Sequence, residues 1–240
     1  MIETAVILAA GRGIRIENVL KDVPKGFIRI DGTTLIERSL GLLADAGIRR
    51  TVIVTGHLAE FYESLPPRFP GVETVKNPRY AESGSMYSFY CARPRIDGDV
   101  LLLESDLLYE PRALDILLAA EYEDAVLLSG RTHSGDEVYV ETRDGRLANM
   151  SKNPGLLASI AGELVGISKI SLELYRAMIR EAESMFERSL HVEYEQALTA
   201  AAQTRPVQGL VVEDLVWTEI DDENHLKRAR ENVLPRLMKV

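Results

Sequence analysis

Thr4-Ala5-Val6-Ile7-Leu8-Ala9-Ala10-Gly11-Arg12-Gly13-Ile14-Arg15 is the stretch on which the reading of this chain turns. Its apolar run, Thr4 to Ala9, is what a strand buried on both faces of a parallel sheet requires. The run stops at Gly11 and Gly13, where the backbone can approach an anion closely and successive N–H groups form a nest. Arg12 and Arg15 add cationic heads. Open parallel sheets bind ligands at the carboxyl ends of their strands, and this loop lies at one. A dinucleotide fingerprint would need a third glycine near position 16, where Ile16 stands, and no Gly-Lys-Ser/Thr follows as a P-loop demands. The common nucleotide-binding motifs are therefore excluded, and the loop by itself specifies only an anion.

Outward from the loop, strand and helix alternate. Phe27 to Ile30 reads as a short strand before an Asp31-Gly32 turn, and Thr34 to Asp45 as an amphipathic helix ending at Gly47. The pattern recurs with a strand over Thr51 to Thr55, a helix from Leu58, a strand over Glu73 to Lys76 and a helix over Ser85 to Ala92. It ends with a strand over Val100 to Leu103 and a helix from Pro111. From Ala125 the rhythm changes to antiparallel strands at Ala125 to Ser129, Glu137 to Glu141 and Arg146 to Met150, the last two joined by an Asp144-Gly145 hairpin. Helices over Leu172 to Phe186 and Glu193 to Ala202, strands over Val207 to Val212 and Val216 to Ile220, and a helix from Glu223 close the chain. The expected fold class is α/β: a Rossmann-like, mostly parallel mixed sheet with helices on both faces and a small antiparallel accessory layer. No linker divides the chain, so a single domain is expected, with a nucleotide-binding half at 1–124, an accessory acceptor-binding half at 125–212 and a closing strand and helix at 213–240.

Composition narrows the partners. Among 240 residues, 46% are hydrophobic and 27% charged, with a net charge of -9. An acidic protein is not drawn to nucleic acid or an anionic membrane surface, whereas a single nucleotide needs only a local positive site. The lone Cys91 excludes an internal disulfide and reads as a small apolar side chain. Without a basic leader or a long apolar run, the expected location is cytoplasmic.

Two aspartates stand just past apolar strands, Asp106 after Val100 to Leu103 and Asp221 after Val216 to Ile220. Brought together, they would hold Mg²⁺ in the usual way, with few carboxylates plus phosphates and water. An acid after a strand also serves as a helix N-cap, a role open to Asp222. Lys25 and Lys152 could flank an α-phosphate, since phosphoryl transfer asks for opposed cations rather than covalent chemistry; solvated surface lysines are the plainer alternative. Thr55-Gly56-His57 and Ser83-Gly84-Ser85 offer small residues and exposed backbone to the edge of a pyrimidine, with His57 equally suited to a surface loop.

Leu8 through Arg15 followed by Pro24-Lys25 resembles the signature of the sugar-phosphate and choline-phosphate nucleotidyltransferases. Pro24-Lys25-Gly26-Phe27-Ile28, Asn77-Pro78-Arg79-Tyr80, Ser83 to Ser88, Glu104-Ser105-Asp106-Leu107 and Trp217 to Asp222 extend the likeness across nearly the whole chain. Together they resemble the cytidylyltransferases acting on small amino-phosphonates, specifically the 2-aminoethylphosphonate cytidylyltransferases. Gly26-Phe27 departs from the Pro-Lys-Pro-Leu or -Met of many sugar-nucleotide enzymes. The resemblance implies a nucleotide-diphospho-sugar transferase type of fold and CTP on Leu8, Ala9, Ala10, Gly11, Arg12, Gly13 and Ser105. It also implies Mg²⁺ on Asp106 and Asp221, and catalysis by Lys25 with Arg15 and Lys152. The acceptor, a small amino-phosphonate or amino-alcohol phosphate, would fall in the accessory half, where Glu137, Tyr139, Glu163, Tyr194 and Trp217 are the candidates. Few aromatics favour a primary amine over the quaternary amine of phosphocholine. Phosphocholine, a sugar 1-phosphate and a catalytically silent nucleotide-binding regulator are the alternatives. A homodimer is compatible with the sequence.

Overall fold

The structure, a computed structural model, describes residues 2–16 and 22–239 of the chain. β1 (Thr4–Ala9) forms where the apolar run predicts it. A hairpin of β2 (Arg29–Ile30) and β3 (Thr33–Thr34) turns on Asp31-Gly32 and delivers the chain to α1 (Leu35–Asp45). Thr34 and Glu37 close a capping box at its start, each satisfying a backbone N–H that the helix leaves free. β4 (Arg50–Thr55), α2 (Ala59–Glu63), β5 (Val72–Lys76), α3 (Ser85–Cys91) and β6 (Val100–Glu104) follow in the expected alternation. Then come β7 (Leu107–Tyr109) and α4 (Arg112–Ala119). The remaining strands are β8 (Ala125–Ser129), β9 (Tyr139–Arg143), β10 (Arg146–Ser151) and β11 (Gly162–Ile170). After α5 (Leu172–Phe186) and α6 (Tyr194–Ala202) the chain ends with β12 (Gln208–Val212), β13 (Trp217–Glu219), α7 (Glu223–Arg228) and α8 (Leu234–Leu237).

The strands build one nine-stranded sheet in the order β5-β4-β1-β6-β11-β8-β12-β10-β9. Its first four strands are parallel, β11 runs antiparallel to both β6 and β8, and β12 is parallel to β8. The sheet is therefore mixed, and its fold is that of the nucleotide-diphospho-sugar transferases. Alternation along β1 shows why both faces are covered. Val6 and Leu8 join a core with α3, α5 and α6, while Ala5, Ile7 and Ala9 join another with α1 and α4.

Two strands stand outside the expected pattern, and two expected ones differ in their bounds or place. β11, central to the sheet, is absent from the sequence reading because Gly166, at φ +79°, breaks its periodicity and shifts its register between Leu164 and Ser168. β7 is missed because it has only three residues. The segment expected from Glu137 starts as a strand at Tyr139, since Glu137 instead accepts a hydrogen bond from the Gly135 N–H. β13 does not extend the main sheet; it pairs with β7 in a separate ribbon.

That ribbon positions the site. It belongs to a third cluster in which Ile16, Ile28, Ile30, Leu35, Leu108, Val216 and Ile220 pack against Leu226, Ala229 and Val233 of the last helical segment. Among the described residues, no helix is long and apolar enough to cross a membrane.

Candidate active site

Parallel pairing in the register Leu8↔Glu104 brings the ends of β1 and β6 to one edge of the sheet. The Ser105 N–H donates to the Leu8 carbonyl there at 3.2 Å. The glycine loop and the Glu104-Ser105-Asp106 corner thus share one cleft of about 420 Å³. In the β7–β13 ribbon Leu107 faces Glu219, and the Ile220 N–H donates to the Asp106 carbonyl at 3.0 Å. One antiparallel step thereby sets Asp221 beside Asp106, though the two lie far apart in the chain. Asp222, next along, caps α7 by accepting from the His225 N–H at 2.8 Å.

Lys25 reaches between the two aspartates. Its Nζ donates to Asp106 Oδ2 at 2.9 Å and to Asp221 Oδ1. Burial opposes its charge, but the two carboxylates outweigh burial and raise the ammonium's pKa well above the ordinary lysine range. Asp221 moves the opposite way: burial would raise it, yet hydrogen bonding with Glu219 and the charges of Lys25 and Arg15 hold it well below the ordinary carboxylate range. Arg15 Nη2 lies 2.8 Å from Asp221 Oδ2, and Arg15 Nη1 pairs with Asp136. Gly13 has a functional reason to be small: a Cβ there would stand 3.3 Å from Lys25 Cγ.

Two further carboxylates complete the cluster. Oxygens of Glu104, Asp106 and Glu219 lie within 4.8 Å of one another. Burial and these like charges drive Glu104 well above its ordinary range and Glu219 up to about 11. Like carboxylates so close cannot all ionise without a compensating cation. An all-oxygen donor set of this kind suits a hard divalent ion such as Mg²⁺. Tyr194 donates to Glu104 Oε1 at 2.9 Å and orients it.

The cleft is lined by Leu8, Ala9, Ala10, Gly11, Ser83, Gly84, Ser85 and Ser105 of the expected nucleotide residues, and by Arg15, Lys25 and Lys152. Arg12, Gly13, Thr55, Gly56 and His57 do not line it. Gly56 and His57 instead back the loop: the His57 N–H donates to the Ala10 carbonyl at 3.3 Å, and a Cβ on Gly56 would sit 2.7 Å from that same oxygen. Ser85 is already engaged, its N–H donating to Glu193 at 2.9 Å. Of the acceptor candidates, Glu137, Glu163, Tyr194 and Trp217 line the cleft. Tyr139 does not; its hydroxyl donates to Glu137 at 3.3 Å. Among the described residues, Trp217 Nε1 is buried without a hydrogen-bond partner. Glu195, unremarked in the sequence, also lines the cleft, and burial pushes its carboxyl up to about 7. Cys91 stands outside it, with burial raising its thiol pKa, so a nucleophile's role is unsupported.

A glycine loop at the end of a parallel sheet thus faces buried carboxylates bridged by a lysine. The chain belongs to the family of MobA-like NTP transferase domains, which it matches over residues 5–185. It is 29% identical over 238 residues to the CMP-5'-(3-aminopropyl)phosphonate synthase of Streptomyces rubellomurinus, covering 94% of this chain and 38% of that protein. Against the 2-aminoethylphosphonate cytidylyltransferase of Lancefieldella rimae, identity is 28% over 195 residues, or 78% of this chain and 74% of the relative. The chain therefore spans well under half of the first relative and most of the second. In fold it resembles the inositol-1-phosphate CTP transferase of T. maritima, with a TM-score of 0.82 at 24% identity over 99% of this chain and 95% of that one.

Proposed function

We propose that the chain is a Mg²⁺-dependent cytidylyltransferase that joins CTP to 2-aminoethylphosphonate, giving CMP-aminoethylphosphonate and pyrophosphate. The observation that carries the reading is Lys25 held between Asp106 and Asp221 beside the glycine loop. A binding module would need neither the lysine nor the acidic cluster. The choice of substrates rests on the two relatives, both named for CMP-phosphonate chemistry.

In this reading the triphosphate lies along Leu8 to Gly11, with Arg15 and Lys152 over its oxygens and Lys25 at the α-phosphate. A phosphonate oxygen attacks the α-phosphorus in line, the bond to the bridging oxygen breaks, and pyrophosphate leaves. The acceptor oxygen is already anionic, so no general base is needed; positioning and charge neutralisation do the catalysis. Asp106 and Asp221, helped by Glu104 and Glu219, would hold Mg²⁺, which supplies a positive template for the phosphate oxygens. Glu137, Glu163 and Glu195 line the accessory side of the cleft, where they would draw a primary ammonium, and the free Trp217 Nε1 is a donor for an anionic oxygen.

The test is pyrophosphate release with CTP, UTP, ATP and dTTP crossed against aminoethylphosphonate, phosphocholine, phosphoethanolamine and glucose 1-phosphate. CTP with aminoethylphosphonate should turn over fastest. Silence with CTP and every amino-phosphonate or amino-alcohol phosphate would refute the reading. Asp106→Asn should abolish turnover in Mg²⁺, and a near-normal rate would remove that residue from the metal site.

A further inference from the structure

Asp136 lines the cleft, and the proposed reaction gives its carboxylate no role. It sits on the loop between β8 and β9, and its two oxygens take two different cations: Oδ1 accepts from Lys152 Nζ at 2.9 Å, and Oδ2 pairs with Arg15 Nη1. Arg15 and Lys152 hold this carboxylate below the ordinary range despite its burial, so it is ionised at neutral pH. One anionic group bridging two opposed cations is the contact a phosphate would make with the same pair.

The loop does not depend on Asp136 to stay in place. The Thr132 N–H donates to buried Glu163 at 2.8 Å. On the other side the Ser134 carbonyl lies 3.1 Å from His225 Nε2, while His225 Nδ1 accepts from the Asp221 N–H at 3.3 Å. That acceptor role puts the ring proton on Nε2, so His225 ties the loop to the backbone of a cluster aspartate. With both anchors in place, the Asp136 carboxylate is the part of the loop free to be exchanged.

We infer that Asp136 is an internal stand-in for nucleotide phosphate: it holds Arg15 and Lys152 across the cleft and yields them when a nucleoside triphosphate enters. The inference rests on the proposed reading, in which those two cations serve the triphosphate. As a positioning residue, Asp136 keeps like charges opposed and lowers apparent nucleotide affinity, because the incoming phosphates must first displace it. Arg15 and Lys152 are both more than half exposed, so solvent screens the pairs and the penalty is modest.

The test is CTP binding in Mg²⁺ without acceptor, by calorimetry, for wild type, Asp136→Asn and Asp136→Glu. Asp136→Asn should bind CTP about threefold to tenfold more tightly, the range set by two screened ion pairs. Asp136→Glu should stay near wild type, and adding Lys152→Met to Asp136→Asn should erase most of the gain. If wild type binds CTP and Asp136→Asn binds it equally or more weakly, the inference falls while the proposed function stands. If wild type binds no CTP, both fall. A measurement on wild type alone guards against a variant that fails to fold: the side-chain carboxyl ¹³C resonance of Asp136 should shift when CTP is added, as its pairs with Arg15 and Lys152 are exchanged, and an unchanged resonance in the CTP complex would overturn the inference.

Discussion

Replacing Gly166 with alanine joins the fold to the site in a single methyl group. The residue lies in the middle of β11 at φ +79°, a conformation that a side chain disfavours by about 1–2 kcal/mol. A Cβ there would also stand 3.3 Å from Glu104 Cδ and Oε1 and 3.4 Å from Leu107 Cδ1. Those neighbours must yield by a few tenths of an ångström, which adds about 1 kcal/mol, at the low end of overpacking penalties. The sum, about 2–3 kcal/mol, should lower the melting temperature by about 4–12 °C for a chain of this size. Gly47→Ala separates the two contributions, because it shares a left-handed φ of +87° and meets nothing within 4 Å. It should lose only the strain portion, about 2–8 °C. A second readout follows from which atoms are touched. Pushing Glu104 away from Asp106 and Glu219 should raise the Mg²⁺ concentration for half-maximal turnover by about tenfold, whereas Gly47→Ala should leave it unchanged. Scanning calorimetry and Mg²⁺ titration of pyrophosphate release measure both. If Gly166→Ala melts with Gly47→Ala and keeps wild-type Mg²⁺ dependence, the close approach of β11 to the carboxylate cluster is refuted.

Lys25→Gln removes the charge that bridges Asp106 and Asp221, and turnover should fall by about a hundredfold to a thousandfold; a rate within about threefold of wild type would place the lysine outside the chemistry. Asp222→Ala should cost about 1 kcal/mol through loss of the α7 cap and leave turnover near normal, while Asp221→Asn should do the reverse. Kinetics that rank the two the other way would show that the wrong aspartate has been assigned to the cluster. Glu37 gives a pH signature. Burial would raise its carboxyl, but hydrogen bonds from Thr34 and Arg68 win and hold it below its ordinary value of 4.5. Its contribution is therefore present above about pH 4.5 and lost as pH falls through the lower folded value. Glu37→Ala should destabilise by about 1 kcal/mol in urea at pH 7 and by much less at pH 3, and an equal loss at both would show that charge is not involved.

The parallel half was legible because its strands are continuous apolar runs bounded by glycine, proline or aspartate, a pattern that burial on both faces demands. β11 has the same burial but a different text. Gly166 and the polar pair Ser168-Lys169 interrupt it, and the glycine is present for the sake of Glu104 rather than of the strand. Tertiary proximity thus erased a local signal. The accessory strands were legible as a hairpin through Asp144-Gly145, both at positive φ, but their place at the far end of the sheet was not, because pairing partners are set by contacts distant in sequence.

The site divides along the same line. Asp106, Asp221 and Lys25 could be picked out because each stands at a strand end or beside the glycine loop. Glu104 and Glu219 were passed over, although the sequence held a signal for them. Glu104-Ser105-Asp106 and Glu219-Ile220-Asp221 are the same Glu-x-Asp pattern, each at the end of an apolar strand. Glu104 is the last residue of β6 and Glu219 the last of β13, so each pattern sets a pair of carboxylates where a strand gives way to a turn or loop. Two such pairs meeting across β7 and β13 bring Glu104, Asp106 and Glu219 within 4.8 Å of one another, with Asp221 joined to Asp106 through Lys25, a larger acidic cluster than two metal-binding aspartates would explain. Asp136 carries no comparable mark. It lies in a loop without periodicity and meets Arg15 only because that loop folds over the cleft, so its role could emerge only from the folded geometry.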